Sequence, residues 1–197
     1  PKLNRFLTGY DLRHVFNDEM TEFDLTRILT GSEGTLAFIT EARLDITRLP
    51  KVRRLVNVKY DSFDSALRNA PFMVEARALS VETVDSKVLN LAREDIVWHS
   101  VIELITDVPD QEMLGLNIVE FAGDDEALID ERVNALCARL DELIASHQAG
   151  VIGWQVCREL AGVERIYAMR KKAVGLLGNA KGAAKPIPFA EDTCVPP

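Results

Sequence analysis

Two repeating patterns of apolar residues alternate along the middle of the chain, one with the period of a strand and one with the period of a helix. They form two units, each a strand, a helix and a strand: Val52–Tyr60, Ser62–Val74 and Ala78–Val84, then Gly115–Phe121, Asp124–His147 and Val151–Val156. A helical stretch, Asp85–Ala92, lies between the units. Two βαβ units in tandem predict an α+β, ferredoxin-like fold, in which an antiparallel sheet carries helices on one face.

The outer parts of the chain predict further elements. The run Leu36–Ile46 alternates between an apolar and a charged face, which predicts a strand closed by Pro50. A short helix is predicted at Phe23–Leu29 and another helix around Gly162–Leu176. A loop that contains glycine and lysine then leads to a short predicted strand, Ile187–Val195.

Composition excludes several classes of protein. The 197 residues are 47% hydrophobic and 27% charged, which is typical of a soluble globular protein with one or two modest cores. The net charge of −8, without a long basic cluster, argues against a nucleic-acid partner. No apolar run approaches the length of a transmembrane segment, and the start of the chain lacks the features of a signal peptide. We therefore expect a cytoplasmic protein.

Cysteine and histidine residues give no sign of a metal site or of a disulfide framework. The cysteines, Cys137, Cys157 and Cys194, are widely spaced and odd in number, which suggests a reducing compartment. The histidines show neither HxH nor HExxH spacing, so we expect no metal ligands in this chain.

The two ends of the sequence suggest a segment of a longer protein. The chain begins at a proline without an initiator methionine, and it stops at TCVPP directly after a predicted strand. Strands that lack their sheet neighbours are often recruited into pairing between molecules, so a homodimer of the segment is a possible outcome.

A small glycine turn, GSEG at residues 31–34, precedes the predicted strand Leu36–Ile46. It matches neither the GxGxxG dinucleotide motif nor the GxxxxGK[ST] phosphate loop. Gly31 and Gly34 permit positive φ and a close backbone approach, so their amides could face a pyrophosphate or a carbonyl group. The residues alone leave a second interpretation open, a plain turn that enters a strand.

Four motifs change this balance: TGYDL at 8–12, GSEGTLAFITEARL at 31–44, IYAMRKKA at 166–173 and AEDTCVP at 190–196. In content, order and spacing they resemble the FAD-linked oxidases of the vanillyl-alcohol-oxidase type. The resemblance is greatest to large bacterial flavoproteins of the D-2-hydroxyglutarate and D-lactate dehydrogenase group, in which a flavin domain is fused to an iron–sulfur domain. It covers nearly the whole chain.

The resemblance implies a division into two domains. Residues 1–49 would form the end of an FAD-binding domain whose pyrophosphate loop lies upstream, and 50–197 would form an incomplete ferredoxin-like cap over the flavin. The residues that would line FAD are consecutive: Glu33, Gly34, Thr35, Leu36, Ala37, Phe38 and Ile39. Ala37 stands where many relatives have glycine. The iron–sulfur cluster would belong to a downstream domain, and any family metal ligands would follow Pro197.

The resemblance also implies a substrate site. Arg170 occupies the place of the arginine that binds the substrate carboxylate in relatives, with Tyr167 in the place of an aromatic residue. A guanidinium offers a planar fork of donors that matches a carboxylate. Val174 and Ala190 stand where D-2-hydroxyglutarate dehydrogenases have threonine and lysine, and Lys185 could supply the missing charge. Without the resemblance, Arg170 could equally be a solvated helix charge.

The leading hypothesis is therefore a fragment, inactive by itself, of an FAD-dependent enzyme that oxidises a small D-2-hydroxy acid. Hydride would pass from the substrate to the flavin, and the electron acceptor and the general base are unassigned. The alternative is a non-catalytic ferredoxin-like module that binds a ligand or dimerises, because such a fold serves many functions.

Overall fold

The computed structural model describes residues 9–177, which divide into two units, 9–48 and 49–177. The first unit contains one short helix, α1 (Thr26–Leu29), at the end of the predicted helix Phe23–Leu29. Near the start of the unit, Phe16 and Phe23 form an isolated antiparallel bridge, and their ring centroids are 5.1 Å apart. The predicted strand Ile187–Val195 lies outside the described residues.

The strand predicted at Leu36–Ile46 is wrong for this structure, since these residues have no regular secondary structure. Their apolar side chains are exposed within the unit, Phe38 to 101% and Ile46 to 94%. A strand satisfies its backbone donors and acceptors only through a neighbouring strand. Within residues 9–48, no stretch of chain pairs with this run, so its alternating pattern is not realised.

The second unit contains a four-stranded sheet formed by β1 (Val52–Tyr60), β2 (Ser80–Asp85), β3 (Gly115–Gly123) and β4 (Val151–Cys157). The strand order is β2, β3, β1, β4, and every neighbouring pair is antiparallel. The two strands of each predicted βαβ unit are therefore parallel and separated by a strand of the other unit. The α+β class and the antiparallel sheet are confirmed.

Helices cover both faces of the sheet, which corrects the prediction of helices on one face only. On one face, α2 (Phe63–Glu75) and α4 (Glu126–Ala145) pack against Val56, Val58 and Val119. The opposite face is covered by α3 (Ser86–Arg93), a 3-10 helix (Ile96–Ser100) and α5 (Leu160–Leu177). The physical reason is that β1 and β3 carry apolar side chains on both faces, for example Leu55 and Ile118 opposite Val56 and Val119.

Side-chain caps fix where three helices of this unit begin. Ser62, Asp85 and Asp125 accept hydrogen bonds from the backbone amides of Ser65, Val88 and Leu128, which satisfies donors that the first helical turn leaves unpaired. Ser62, the first residue of the predicted helix Ser62–Val74, is therefore the N-cap of α2. Among residues 9–177, none of the helices combines the length and the apolar character that crossing a bilayer requires.

Candidate functional site

Helix α5 places Arg170, one of the two residues predicted to bind substrate, beside strand β2 of the sheet. Val163, Ile166 and Met169 are buried in the core between α5 and the sheet, and they fix which side of the helix faces inward. Tyr167 and Arg170 lie next to this buried row and are only partly covered. Their side chains meet charged residues that project from β1, β2 and β3.

Glu120 on β3 joins α5 to the sheet. Its carboxylate accepts a hydrogen bond from Arg53 Nε at 2.6 Å and another from the Tyr167 hydroxyl at 2.5 Å. The guanidinium carbon of Arg53 lies 5.3 Å from the centroid of the Tyr167 ring, which is within cation–π range. Glu120 is 6% exposed, so this carboxylate is buried together with its two donors. It fixes the position of α5 one helical turn before Arg170.

Arg170 forms an ion pair with Glu82 on β2, with Nε and Oε2 2.5 Å apart. Oε2 is buried and makes no aligned hydrogen bond, so this contact is an electrostatic pair whose N–H does not point directly at the oxygen. The Arg170 side chain is 37% exposed. The residue is therefore attached to the sheet while part of its surface still faces solvent, which differs from a freely solvated helix charge.

Burial and charge alter the acidity of this cluster. Burial raises the pKa of Tyr167 above its usual value, and the hydrogen bond to Glu120 raises it further. The hydrogen bond to Glu120 is also the main cause that raises the pKa of Arg53. Tyr167 is thus a neutral phenol at physiological pH, and it serves as a hydrogen-bond donor in this cluster.

The glycine turn lies in the other unit. A Cβ atom at Gly31 would lie 1.8 Å from the backbone oxygen of Gly9, so only glycine permits this contact. Glu33 and Gly34 both have positive φ, 49° and 77°, and Thr35 is held by a hydrogen bond from its hydroxyl to the Ser32 carbonyl. The turn is therefore a built feature with a defined left-handed geometry.

All seven residues predicted to line FAD, 33–39, are exposed within their unit. Glu33 and Gly34 have left-handed backbone, and a Cβ at Gly34 would meet open space. The apolar residues 36–39 are exposed. Exposed amides suit the polar part of a dinucleotide, and exposed apolar side chains suit a flat aromatic ring. This donor set fits FAD.

The predicted site residues fall into separate parts of the chain. Residues 33–39 lie in the unit 9–48, and Arg170 lies in the unit 49–177. Lys185 and Ala190 are outside the described residues. In the part of the chain that the structure describes, no three His, Cys, Asp or Glu side chains converge in a way that could hold a metal ion.

Sequence reasoning missed the acidic partners, Glu82 and Glu120. Each lies within a strand at a position that faces the covered side of the sheet, Glu82 between Val81 and Thr83 and Glu120 between Val119 and Phe121. A charged residue at an inward position of a predicted strand was the available signal, since buried carboxylates need a partner. The sequence did not reveal which cationic side chains would pair with these carboxylates.

Comparison with known proteins finds relatives that match the whole chain. Residues 49–197 match the family model described as FAD linked oxidases, C-terminal domain. Over all 197 residues the chain is 79% identical to a D-2-hydroxyglutarate dehydrogenase of Pantoea ananatis and 69% identical to one of Haemophilus influenzae. It is 47% identical to a protein of the same name from Pseudomonas putida.

In each case the match covers all of this chain but 19% of the relative's length, so the chain spans about a fifth of these curated relatives. The matches confirm the resemblance of this chain to FAD-linked oxidases and to D-2-hydroxyglutarate dehydrogenases, and the expectation that it corresponds to a segment of longer relatives. The family model alone covers about three quarters of the chain. On this basis, the chain belongs to the FAD-linked oxidases, whose C-terminal domain it contains.

Proposed function

We propose that this chain is part of an FAD-dependent oxidoreductase that oxidises a D-2-hydroxy acid of the 2-hydroxyglutarate or lactate type. The observation that carries the proposal is Arg170, a partly exposed guanidinium that the sheet holds in place through Glu82. A fixed guanidinium is suited to grip the carboxylate that every 2-hydroxy acid presents. The names of the three relatives, all D-2-hydroxyglutarate dehydrogenases, support the same class of substrate.

In this proposal, residues 33–39 contact FAD through the exposed backbone of the glycine turn and the apolar side chains that follow it. FAD, when bound, accepts the hydride that leaves C2 of the substrate. Gly34 permits a close backbone approach, because it has no side chain and its φ of 77° is one that glycine adopts without strain. An iron–sulfur domain elsewhere in the full-length protein and a homodimer of the segment stay predictions.

Arg170 binds and orients the substrate carboxylate, so that C2 is presented in one orientation. Lys185 is proposed as a second cation for a substrate that carries a second carboxylate. Tyr167 does not act as a base, since its raised pKa and its bond to Glu120 keep it protonated. Its role is to fix α5 against β3.

The test adds each of a panel of D- and L-2-hydroxy acids to the full-length protein and measures reduction of the bound flavin by its absorbance. We expect a D-2-hydroxy acid to bleach the flavin of the wild type, and Arg170→Ala to abolish this while FAD stays bound. Arg165→Ala is the matched control, because Arg165 lies on the same helix and pairs with Glu103 on a different side of it. Absence of flavin from the protein would refute the proposed function, and equal reduction in wild type and Arg170→Ala would refute the role of Arg170.

A further inference from the structure

Glu82 and Glu120 occupy neighbouring strands on the same face of the sheet. Glu82 on β2 lies opposite Ile118 on β3, and Ser80 lies opposite Glu120, so the two acids are diagonal neighbours. Diagonal neighbours in an antiparallel pair are about 7–8 Å apart, and their Cβ atoms are somewhat closer, so two carboxylates at such positions repel each other. A sheet face that keeps both acids therefore requires cations beside them.

Each acid has its own arginine. Arg53, from β1, pairs with Glu120 at 2.6 Å, and Arg170, from α5, pairs with Glu82 at 2.5 Å. The first pair lies within the sheet and involves two strands. The second pair joins a strand to the helix that carries the proposed substrate-binding residue, so Glu82 acts on that residue directly.

We propose that Glu82 is a positioning residue for substrate binding, which holds the Nε side of Arg170 so that the guanidinium meets the substrate carboxylate in one orientation. This inference rests on the proposed function and names a further residue for it. An arginine side chain has several rotatable bonds, and without a partner it would have to be immobilised when the substrate binds. A partner that is fixed on a strand provides that order in advance.

The geometry favours positioning over a merely structural ion pair. Arg165 and Glu103 form a pair of the same chemistry on the same helix at 2.6 Å, but both side chains are about half exposed. The Glu82 side chain is 30% exposed, its Oε2 atom is fully covered, and it projects from a strand. Glu103 itself lies in a loop. Its pair with Arg165 therefore serves as a reference for the effect of an exposed ion pair on substrate binding.

The experiment uses the full-length flavoprotein with D-2-hydroxyglutarate as substrate, and it measures KM, kcat and the Kd of 2-oxoglutarate for the oxidised protein. We expect Glu82→Ala to raise KM and Kd by about tenfold, because an unpositioned guanidinium binds a carboxylate less well. We expect kcat to change by no more than about twofold, because the hydride step itself is untouched. Glu82→Gln should fall between wild type and Glu82→Ala, and Glu103→Ala should match the wild type.

A double mutant separates positioning from general stabilisation. If Glu82 acts through Arg170, Glu82→Ala should not raise the Kd of 2-oxoglutarate further in the Arg170→Ala background, where binding is measured because flavin reduction is lost. A loss of the same size in both backgrounds, or a KM that is unchanged or lowered in Glu82→Ala, would overturn the inference. If Arg170→Ala abolishes flavin reduction and Glu82→Ala has no effect, this inference alone fails; if Arg170→Ala has no effect, the proposed role of Arg170 fails with it.

Discussion

Glu120→Gln tests whether the buried carboxylate on β3 holds α5 against the sheet. The substitution keeps the shape of the side chain and removes its charge. Two short hydrogen bonds change, one from Arg53 Nε at 2.6 Å and one from the Tyr167 hydroxyl at 2.5 Å. Glutamine can still accept from Arg53, but its amide nitrogen cannot accept the hydrogen bond that the Tyr167 hydroxyl donates.

The expected loss of stability can be estimated from these two bonds. A hydrogen bond to a charged group contributes about 1.5–3 kcal/mol, and a neutral one about 1 kcal/mol. Arg53 is 30% exposed, so water takes over part of its interaction. We therefore expect Glu120→Gln to lower the free energy of unfolding by about 2 kcal/mol.

Urea unfolding of the 197-residue chain, followed by tryptophan fluorescence, measures this difference. Trp98 and Trp154 both lie in the unit 49–177, so the signal reports on the unit that contains the cluster. With a slope of about 2 kcal/mol per molar urea, the midpoint should fall by about 1 M. Glu103→Gln, in the exposed pair with Arg165, should shift it by less than about a quarter of that amount. Equal shifts for the two variants would refute the argument that burial makes the Glu120 cluster strong.

Three further predictions follow from single positions. Gly150→Ala should destabilise the chain by about 1–3 kcal/mol in the same urea assay, because φ is +65° and a Cβ would lie 2.2 Å from Ser65 Oγ; Gly175→Ala, with open space around it, should not destabilise. Burial raises the pKa of Cys137 to about 11, so its thiol should react with iodoacetamide at pH 7.5 far more slowly than a free cysteine does, and fast labelling would contradict this. Burial lowers the pKa of Lys59 below 10.5, so the unfolded chain binds that proton more tightly. The free energy of unfolding of the wild type, relative to that of Lys59→Met, should then rise as pH increases from the lowered pKa towards 10.5. Parallel pH profiles for the two proteins would show that burial does not lower the pKa of Lys59.

The elements of the second unit could be predicted because their signals are local. Val52–Tyr60 was predicted with the bounds that β1 has, and the starts of α2 and α3 follow from capping residues adjacent in sequence. Leu36–Ile46 shows the opposite case. Its alternation is as clear, but a strand depends on a partner that must come from another part of the chain, and residues 9–48 provide none.

The candidate site was predicted in part, for a similar reason. Arg170 could be proposed from a motif, because its helix carries the resemblance in consecutive residues. Its partner Glu82 could not, since 88 positions separate the two along the chain and only the register of β2 against β3 brings the acid to this face.

The sequence by itself determined the class of the fold, the positions of its main helices and strands, and the family, since these depend on short-range periodicity and on motifs. Only the tertiary structure decided that helices cover both faces of the sheet and that two acids face α5. The physical reason is that burial and ion pairing join residues distant in the chain. Such contacts form when strands align and a helix packs across them, and no local pattern specifies which charges will then meet.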